Sequence, residues 1–141
     1  MPHVIIEYSA NVATDDGGPV DIAALVDVLH DAALATGIAP IDALRTRAVA
    51  RRYYAVADRH PDNMFVAVTA RLGAGRSDDD KRRLVDTLMT TLEGFLGDAR
   101  ATMMLSVEYQ EIDPAFRINK NNVRPLVAER RGARTAEEEA R

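Results

Sequence analysis

The order of strand-like and helix-like segments is the feature that most restricts the fold of this chain. Residues 3–8 are rich in Val and Ile and are predicted to form a strand. From Asp21, apolar residues recur at the three- and four-residue spacing of a helix, which is predicted to stop near Gly37. A second strand is predicted for residues 44–54. The chain therefore begins with a strand–helix–strand unit.

The same order of elements then repeats, about 60 residues further along the chain. A strand is predicted for residues 64–72, a helix starts after the capping residue Ser77, and a strand follows over residues 102–112. Each unit is expected to pair its two strands in parallel through a right-handed crossover. We predict an α+β fold, with two βαβ halves (about 3–54 and 64–112) forming a four-stranded sheet that carries two helices on one face.

The sheet face away from the helices must also be covered. Ile5, Val66, Val68 and Met104 are expected to make that face apolar, which favours self-association. The alternative is that the C-terminal segment of the same chain folds over it. Because the two βαβ halves share one sheet, we predict a single domain over residues 1–127.

Composition excludes several classes of protein. The chain has 141 residues, a net charge of −4 and no Cys, so it has no disulfide, thiolate nucleophile or Cys-ligated metal. Its acidity argues against nucleic-acid binding, and no apolar run is long enough to span a membrane, so a cytoplasmic location is expected. The last residues, 128–141, are polar enough to predict a disordered tail.

The first candidate for chemistry is Pro2. Removal of Met1 would leave a secondary amine at Pro2, held at the start of a strand. A free α-amino group has a reference pKa of about 7.7–8.0, and burial and nearby cations lower it further. Such an amine can act as a general base near neutral pH. The alternative is that the proline merely begins an edge strand.

Three arginines are candidates for binding a substrate carboxylate. Arg45 and Arg47 are two residues apart on the second strand and therefore project from the same face, beside the first strand. Arg76 follows two glycines in the turn before the second helix, where close approach to an anion is feasible. An ion-paired strand face and simple helix capping are the alternative explanations. The three histidines lack metal-ligand spacing, so neither a metal nor a cofactor is predicted.

Four segments of the chain, in order, resemble one known family. They are MPHVIIEYS, TGIAPIDALRTRAV, GAGRS and FRINKNNVRPL. They resemble the 5-carboxymethyl-2-hydroxymuconate isomerases, which belong to the tautomerase superfamily together with 4-oxalocrotonate tautomerase. The resemblance implies a homotrimer with its sheets facing inward, Pro2 as catalytic base, and Arg45, Arg76 and, with a less defined role, Arg47 as ligands of substrate carboxylates.

The resemblance also implies a cofactor-independent reaction in homoprotocatechuate catabolism, the conversion of a dienol di- or tricarboxylate to its conjugated ketone. The segment ARRYYAV, which follows the second strand, departs from the family pattern and is expected to alter the pocket wall. Two alternatives remain open. One is a tautomerase for another enol, such as a phenylpyruvate-like substrate, and the other is a non-catalytic trimeric protein that binds anions.

Overall fold

Two strand–helix–strand units form one mixed sheet in the computed structural model, which describes residues 1–141. The strand order is β2-β1-β3-β4. Each unit pairs its own strands in parallel, and the two units join through the antiparallel pair β1–β3. The predicted α+β fold is confirmed. The strands and helices are β1 (His3–Ser9), α1 (Ile22–Ala35), β2 (Arg45–Arg51), β3 (Met64–Gly73), α2 (Asp78–Leu96), β4 (Met103–Ile112) and α3 (Arg124–Glu139).

The second strand is shorter than its sequence predicts. It ends at Arg51 and not at residue 54, and the residues after it form an exposed turn. The reason lies in the pairing, because Arg51 is opposite Ser9, the last residue of β1. β2 is an edge strand with β1 as its single partner, so beyond Ser9 it has no hydrogen-bonding neighbour.

The two helices that cover the sheet begin at side-chain caps. Asp21 accepts a hydrogen bond from the backbone N–H of Ala24, and Ser77 Oγ accepts one from the N–H of Asp80. The first helix stops before Gly37, which has a left-handed φ of 73°. Neither these helices nor α3 combines the length and apolarity needed to cross a membrane.

The apolar core lies between these helices and one face of the sheet. Val66 and Val68 are buried there, so the prediction that they help form the uncovered face is wrong. Their antiparallel partners Tyr8 and Ile6 are buried on the helix side, and directly paired residues share a face. The uncovered face carries mainly polar residues together with a few apolar ones: His3, Ile5, Glu7, Arg45, Arg47, Val49, Phe65, Ala67, Thr69, Arg71, Met104, Ser106, Glu108 and Gln110.

The C-terminal segment is helical, which corrects the prediction of a disordered tail over residues 128–141. The helix α3 runs through the predicted domain boundary at residue 127 without interruption, and its residues from 128 onward are exposed. The segment is rich in Ala, Glu and Arg, which are strong helix formers, and an Arg134–Glu138 pair at four-residue spacing adds local support. Local propensity therefore explains this helix without burial.

Candidate active site

The N-terminal residues lie within the sheet and not at a loose chain end. Pro2 precedes β1 and its side chain is fully buried. Its carbonyl oxygen accepts a hydrogen bond of 3.2 Å from the backbone N–H of Arg45, which begins β2. The parallel pairing of the first two strands therefore fixes Pro2 beside the arginine that the sequence predicts as its partner.

The other neighbour of the N-terminus is β3. His3 pairs with Arg71, and continuing this antiparallel register by two residues places Gly73 opposite Met1. The chain start is thus enclosed by β2 on one side and by the end of β3 on the other.

A cavity of about 370 Å³ opens at this point. Half of its lining residues are apolar, and its polar side comes from Asp42, from Arg45 and from a stretch of chain after β4. The amide of Asn121 donates 2.7 Å to the carbonyl of Asp42, which ties that stretch to the loop before β2. The lining residues are Met1, Ile41, Asp42, Ala43, Leu44, Arg45, Lys120, Asn121, Asn122 and Val123.

Four arginines surround the N-terminal amine. The pKa of the Met1 amine is lowered, first by burial and then by the positive charges of Arg117, Arg45, Arg76 and Arg124. These residues come from the start of β2, the loop after β3 and the segment after β4. The fold therefore collects cations from three parts of the sequence at one end of β1.

Most of this positive charge has no partner within the chain. Arg124 forms an ion pair of 3.0 Å with Asp42, but no carboxylate lies within 4 Å of Arg45, Arg76 or Arg117. No group of three or more metal-ligating side chains is close enough to hold an ion. An uncompensated cluster of guanidinium groups beside a cavity is suited to bind an anion.

The ring of His3 lies close to both strand arginines. Its Nε2 lies 2.9 Å from Arg45 Nη2, and its Nδ1 lies 3.0 Å from Arg47 Nη1. Burial, followed by the nearby arginines including Arg71, lowers the pKa of His3 to about 4, so the ring is neutral at pH 7. A neutral imidazole has a single acceptor nitrogen, whereas guanidinium groups only donate. Only one of the two arginines can therefore bond to the ring at a time.

Arg76 is fixed by backbone carbonyls. Its Nε and Nη2 donate to the Ile38 carbonyl at 3.4 and 3.2 Å, and its Nη1 donates 3.1 Å to the Gly73 carbonyl. A guanidinium has five N–H groups, so each terminal nitrogen keeps one free. The neighbouring Tyr109 has a buried hydroxyl without a hydrogen-bond partner, and burial raises its pKa against the opposing charges of Arg76 and Lys81. Arg76 is thus held in a fixed orientation beside Tyr109, and backbone carbonyls use only three of its five N–H groups.

The structure brings most of the predicted residues together. Pro2, Arg45 and Arg76 lie at one end of β1. Arg47 lies two residues further along β2 on the uncovered face, where it is near His3. Sequence reasoning missed Arg117 and Arg124. Their only signal was an Arg- and Asn-rich stretch after the last strand, which has no periodicity to show where it lies.

Solved structures share the fold of this chain. The chain superimposes with a TM-score of 0.64 on a fused 4-OT described as a wild-type asymmetric trimer, at 17% identity over 89% of this chain and 98% of the other. This similarity, together with the paired βαβ units, shows that the chain has the 4-OT fold.

More specific similarities identify the family. The model of the 5-carboxymethyl-2-hydroxymuconate isomerase family matches residues 2–127. The chain is 32% identical to a crystal structure of a 5-carboxymethyl-2-hydroxymuconate isomerase from Deinococcus radiodurans R1, with a TM-score of 0.79 and coverage of 89% of this chain and 93% of that one. It is 28% identical over 128 residues to 5-carboxymethyl-2-hydroxymuconate Delta-isomerase of Escherichia coli, covering 89% of this chain and 98% of that protein. The chain belongs to the 5-carboxymethyl-2-hydroxymuconate isomerase family.

Proposed function

We propose that this protein isomerises 5-carboxymethyl-2-hydroxymuconate to its conjugated ketone without a cofactor, using Pro2 as the general base. The observation that carries the proposal is the position of the N-terminus, which lies at a cavity and close to four arginines, three of which have no carboxylate partner. The names of the family and of its relatives support this choice of substrate.

The base requires removal of Met1, because an amide nitrogen has no basic lone pair. Burial and the surrounding arginines lower the pKa of the Met1 amine, and both would act in the same direction on a Pro2 amine one residue further on. Neutral Pro2 takes the proton of the 2-hydroxyl group, and the resulting ammonium returns a proton to carbon. One O–H bond breaks, one C–H bond forms, and the double bonds move into conjugation with the ketone.

The arginines bind the carboxylates of the substrate and stabilise the negative charge that develops on the enolate oxygen. Arg76 is suited to this role by its fixed orientation and by N–H groups that no backbone carbonyl uses. Arg45 Nη2 lies 3.3 Å from the Met1 carbonyl, so removal of Met1 frees a donor at the cavity. Arg47 lies near the other ring nitrogen of His3 and adds positive charge beside Arg45.

We also propose that the protein works as a homotrimer. No helix covers the second face of the sheet, where Val49 and Met104 are exposed. The fused 4-OT of similar fold is described as a trimer. A mass in solution of three times 15.4 kDa is expected, and a monomer at micromolar concentration would contradict this part of the proposal.

The test of the catalytic proposal compares two forms of the protein that differ only at the amine. One has a free Pro2, verified by its intact mass, and the other carries a single extra residue before Pro2. The extension converts the amine to an amide and leaves every other side chain unchanged. We expect the extended form to lose about 10²–10⁴-fold in kcat, measured as loss of the dienol absorbance. Equal rates in the two forms would exclude Pro2 as the base.

The role of Arg76 is tested separately. Arg76→Ala should raise KM about 10–100-fold, because it removes charged hydrogen bonds to a substrate carboxylate. The matched control is Arg82→Gln, which removes a cation from the exposed side of α2, where Arg82 pairs only with Asp79. An unchanged KM in Arg76→Ala would contradict the assignment.

A further inference from the structure

The fold fixes the position of Arg117, but no group of the chain pairs with its charge. Its guanidinium donates no hydrogen bond within the protein, and its Nη1 is buried without a partner. Arg76 and Arg117 are the only arginines of the chain that are not exposed. Burying a guanidinium without an acceptor is costly, so such a group requires an explanation other than folding stability.

Gly73 provides the space for this guanidinium. A Cβ atom at residue 73 would lie 2.7 Å from Nη2 and 2.8 Å from Nη1 of Arg117, closer than real contacts allow. The Gly73 carbonyl also accepts the bond from Arg76 Nη1, so the two guanidinium groups flank the same residue. Like charges held at one glycine repel each other unless an anion lies between or beside them.

The location ties Arg117 to the candidate active site. Continuing the register of β1 and β3 by two residues places Gly73 opposite Met1. Among the arginines, Arg117 lowers the pKa of the N-terminal amine the most. The guanidinium is therefore close enough to the base to contact a bound substrate.

We propose that Arg117 binds a carboxylate of the substrate, in addition to those held by Arg45 and Arg76, and so makes the site selective for tricarboxylates over dicarboxylates. The inference rests on the proposed function in one respect, that the site beside Pro2 binds a carboxylate-bearing substrate. Three guanidinium groups close to the N-terminal amine, one of them lining the cavity, match three carboxylates, and a guanidinium can bind a carboxylate with paired donors.

The test measures binding and not turnover, so its result does not depend on whether Pro2 is the catalytic base. The probes are propane-1,2,3-tricarboxylate and pentanedioate, titrated by calorimetry into Met1-free protein. We expect the unaltered protein to prefer the tricarboxylate by about 10–100-fold, and Arg117→Gln to lose that preference while binding pentanedioate as before. Arg117→Lys, which keeps the charge but not the paired donors, should retain part of it. The surface variant Arg82→Gln serves as the charge control.

Gly73→Ala provides a second route to the same result. Residue 73 has no left-handed φ, so alanine fits the backbone, and its methyl group must displace the flexible end of Arg117. We expect this variant to lose the tricarboxylate preference as Arg117→Gln does.

Two results would overturn the inference: no tricarboxylate preference in the unaltered protein, or an unchanged preference in Arg117→Gln. An unchanged preference together with a lowered melting temperature or oligomeric mass would mean that a carboxylate of another subunit pairs with Arg117. A protein that fails to isomerise the dienol but shows the Arg117-dependent preference would refute the proposed reaction and leave this inference standing.

Discussion

Replacing His3 with asparagine tests whether the arginines at the start of the sheet hold this histidine neutral. The pKa of His3 is lowered to about 4 by burial and by the charges of Arg45, Arg47 and Arg71. In the unfolded chain the same ring has its ordinary pKa of about 6.5. Below pH 6.5 the unfolded chain therefore gains a proton that the folded chain does not bind, and stability falls as the pH falls from 6.5 to 4.

The size of the effect follows from the two pKa values. A difference of about 2.5 pKa units corresponds to a free energy of about 3.4 kcal/mol, reached only well below pH 4, where both states are fully protonated. Between pH 7.5 and pH 5 the loss is about 2 kcal/mol. His3 is partly accessible to water, so screening reduces this figure to about 1–2 kcal/mol.

The assay is urea unfolding at pH 7.5 and pH 5.0, at one protein concentration, for the original protein and for His3→Asn. The original protein should lose about 1–2 kcal/mol more than the variant between the two pH values. His30 and His60 are present in both proteins, so their contributions cancel. Equal losses in the two proteins, or an NMR titration of His3 with a midpoint near 6.5, would refute the reasoning.

Three further changes test the packing. Leu88→Ala removes a side chain with 0% exposure from the centre of α2 and should cost about 2–5 kcal/mol in guanidinium unfolding, whereas a loss below 1 kcal/mol would contradict the core placement. Ser9→Ala should cost about 1–3 kcal/mol in the same assay, because the buried Ser9 Oγ accepts a 2.9 Å bond from the N–H of Phe65 that would lose its partner. Truncation after Val127 removes only exposed residues and should change the free energy of unfolding by less than about 0.5 kcal/mol; a larger loss would show that α3 stabilises the fold.

The fold was predictable because its determinants are local and repeated. Helical spacing of apolar residues and alternation in the strands identify six of the seven elements, and βαβ crossovers fix the parallel pairing within each half. The face of β3 was not predictable from its own residues. Its two sides carry Phe65 and Ala67 on one and Val66 and Val68 on the other, so both are apolar, and only the antiparallel register with β1 decides which side meets the helices.

Some residues of the candidate site were likewise predictable from the sequence, and others were not. Arg45 was predictable because a parallel βαβ unit places the start of β2 beside the start of β1. Arg76 was predictable because glycines before a helix indicate a turn that can approach a ligand. Arg117 follows the last strand in a segment without periodicity, and its position depends on the missing side chain of Gly73, more than forty residues earlier in the chain.

Partial burial without an ion pair separates Arg76 and Arg117 from the other arginines in a way that the sequence does not show. Arg51 pairs with Glu7 and Arg83 with Asp80 on the surface, where water screens both charges and little stability is gained. Arg76 and Arg117 are partly shielded from water, and neither has a carboxylate partner. Repulsion between them is strongest where screening is weakest, so the cluster destabilises the folded chain. A bound carboxylate offsets that repulsion, and the same charges then contribute to binding and to stabilising an enolate.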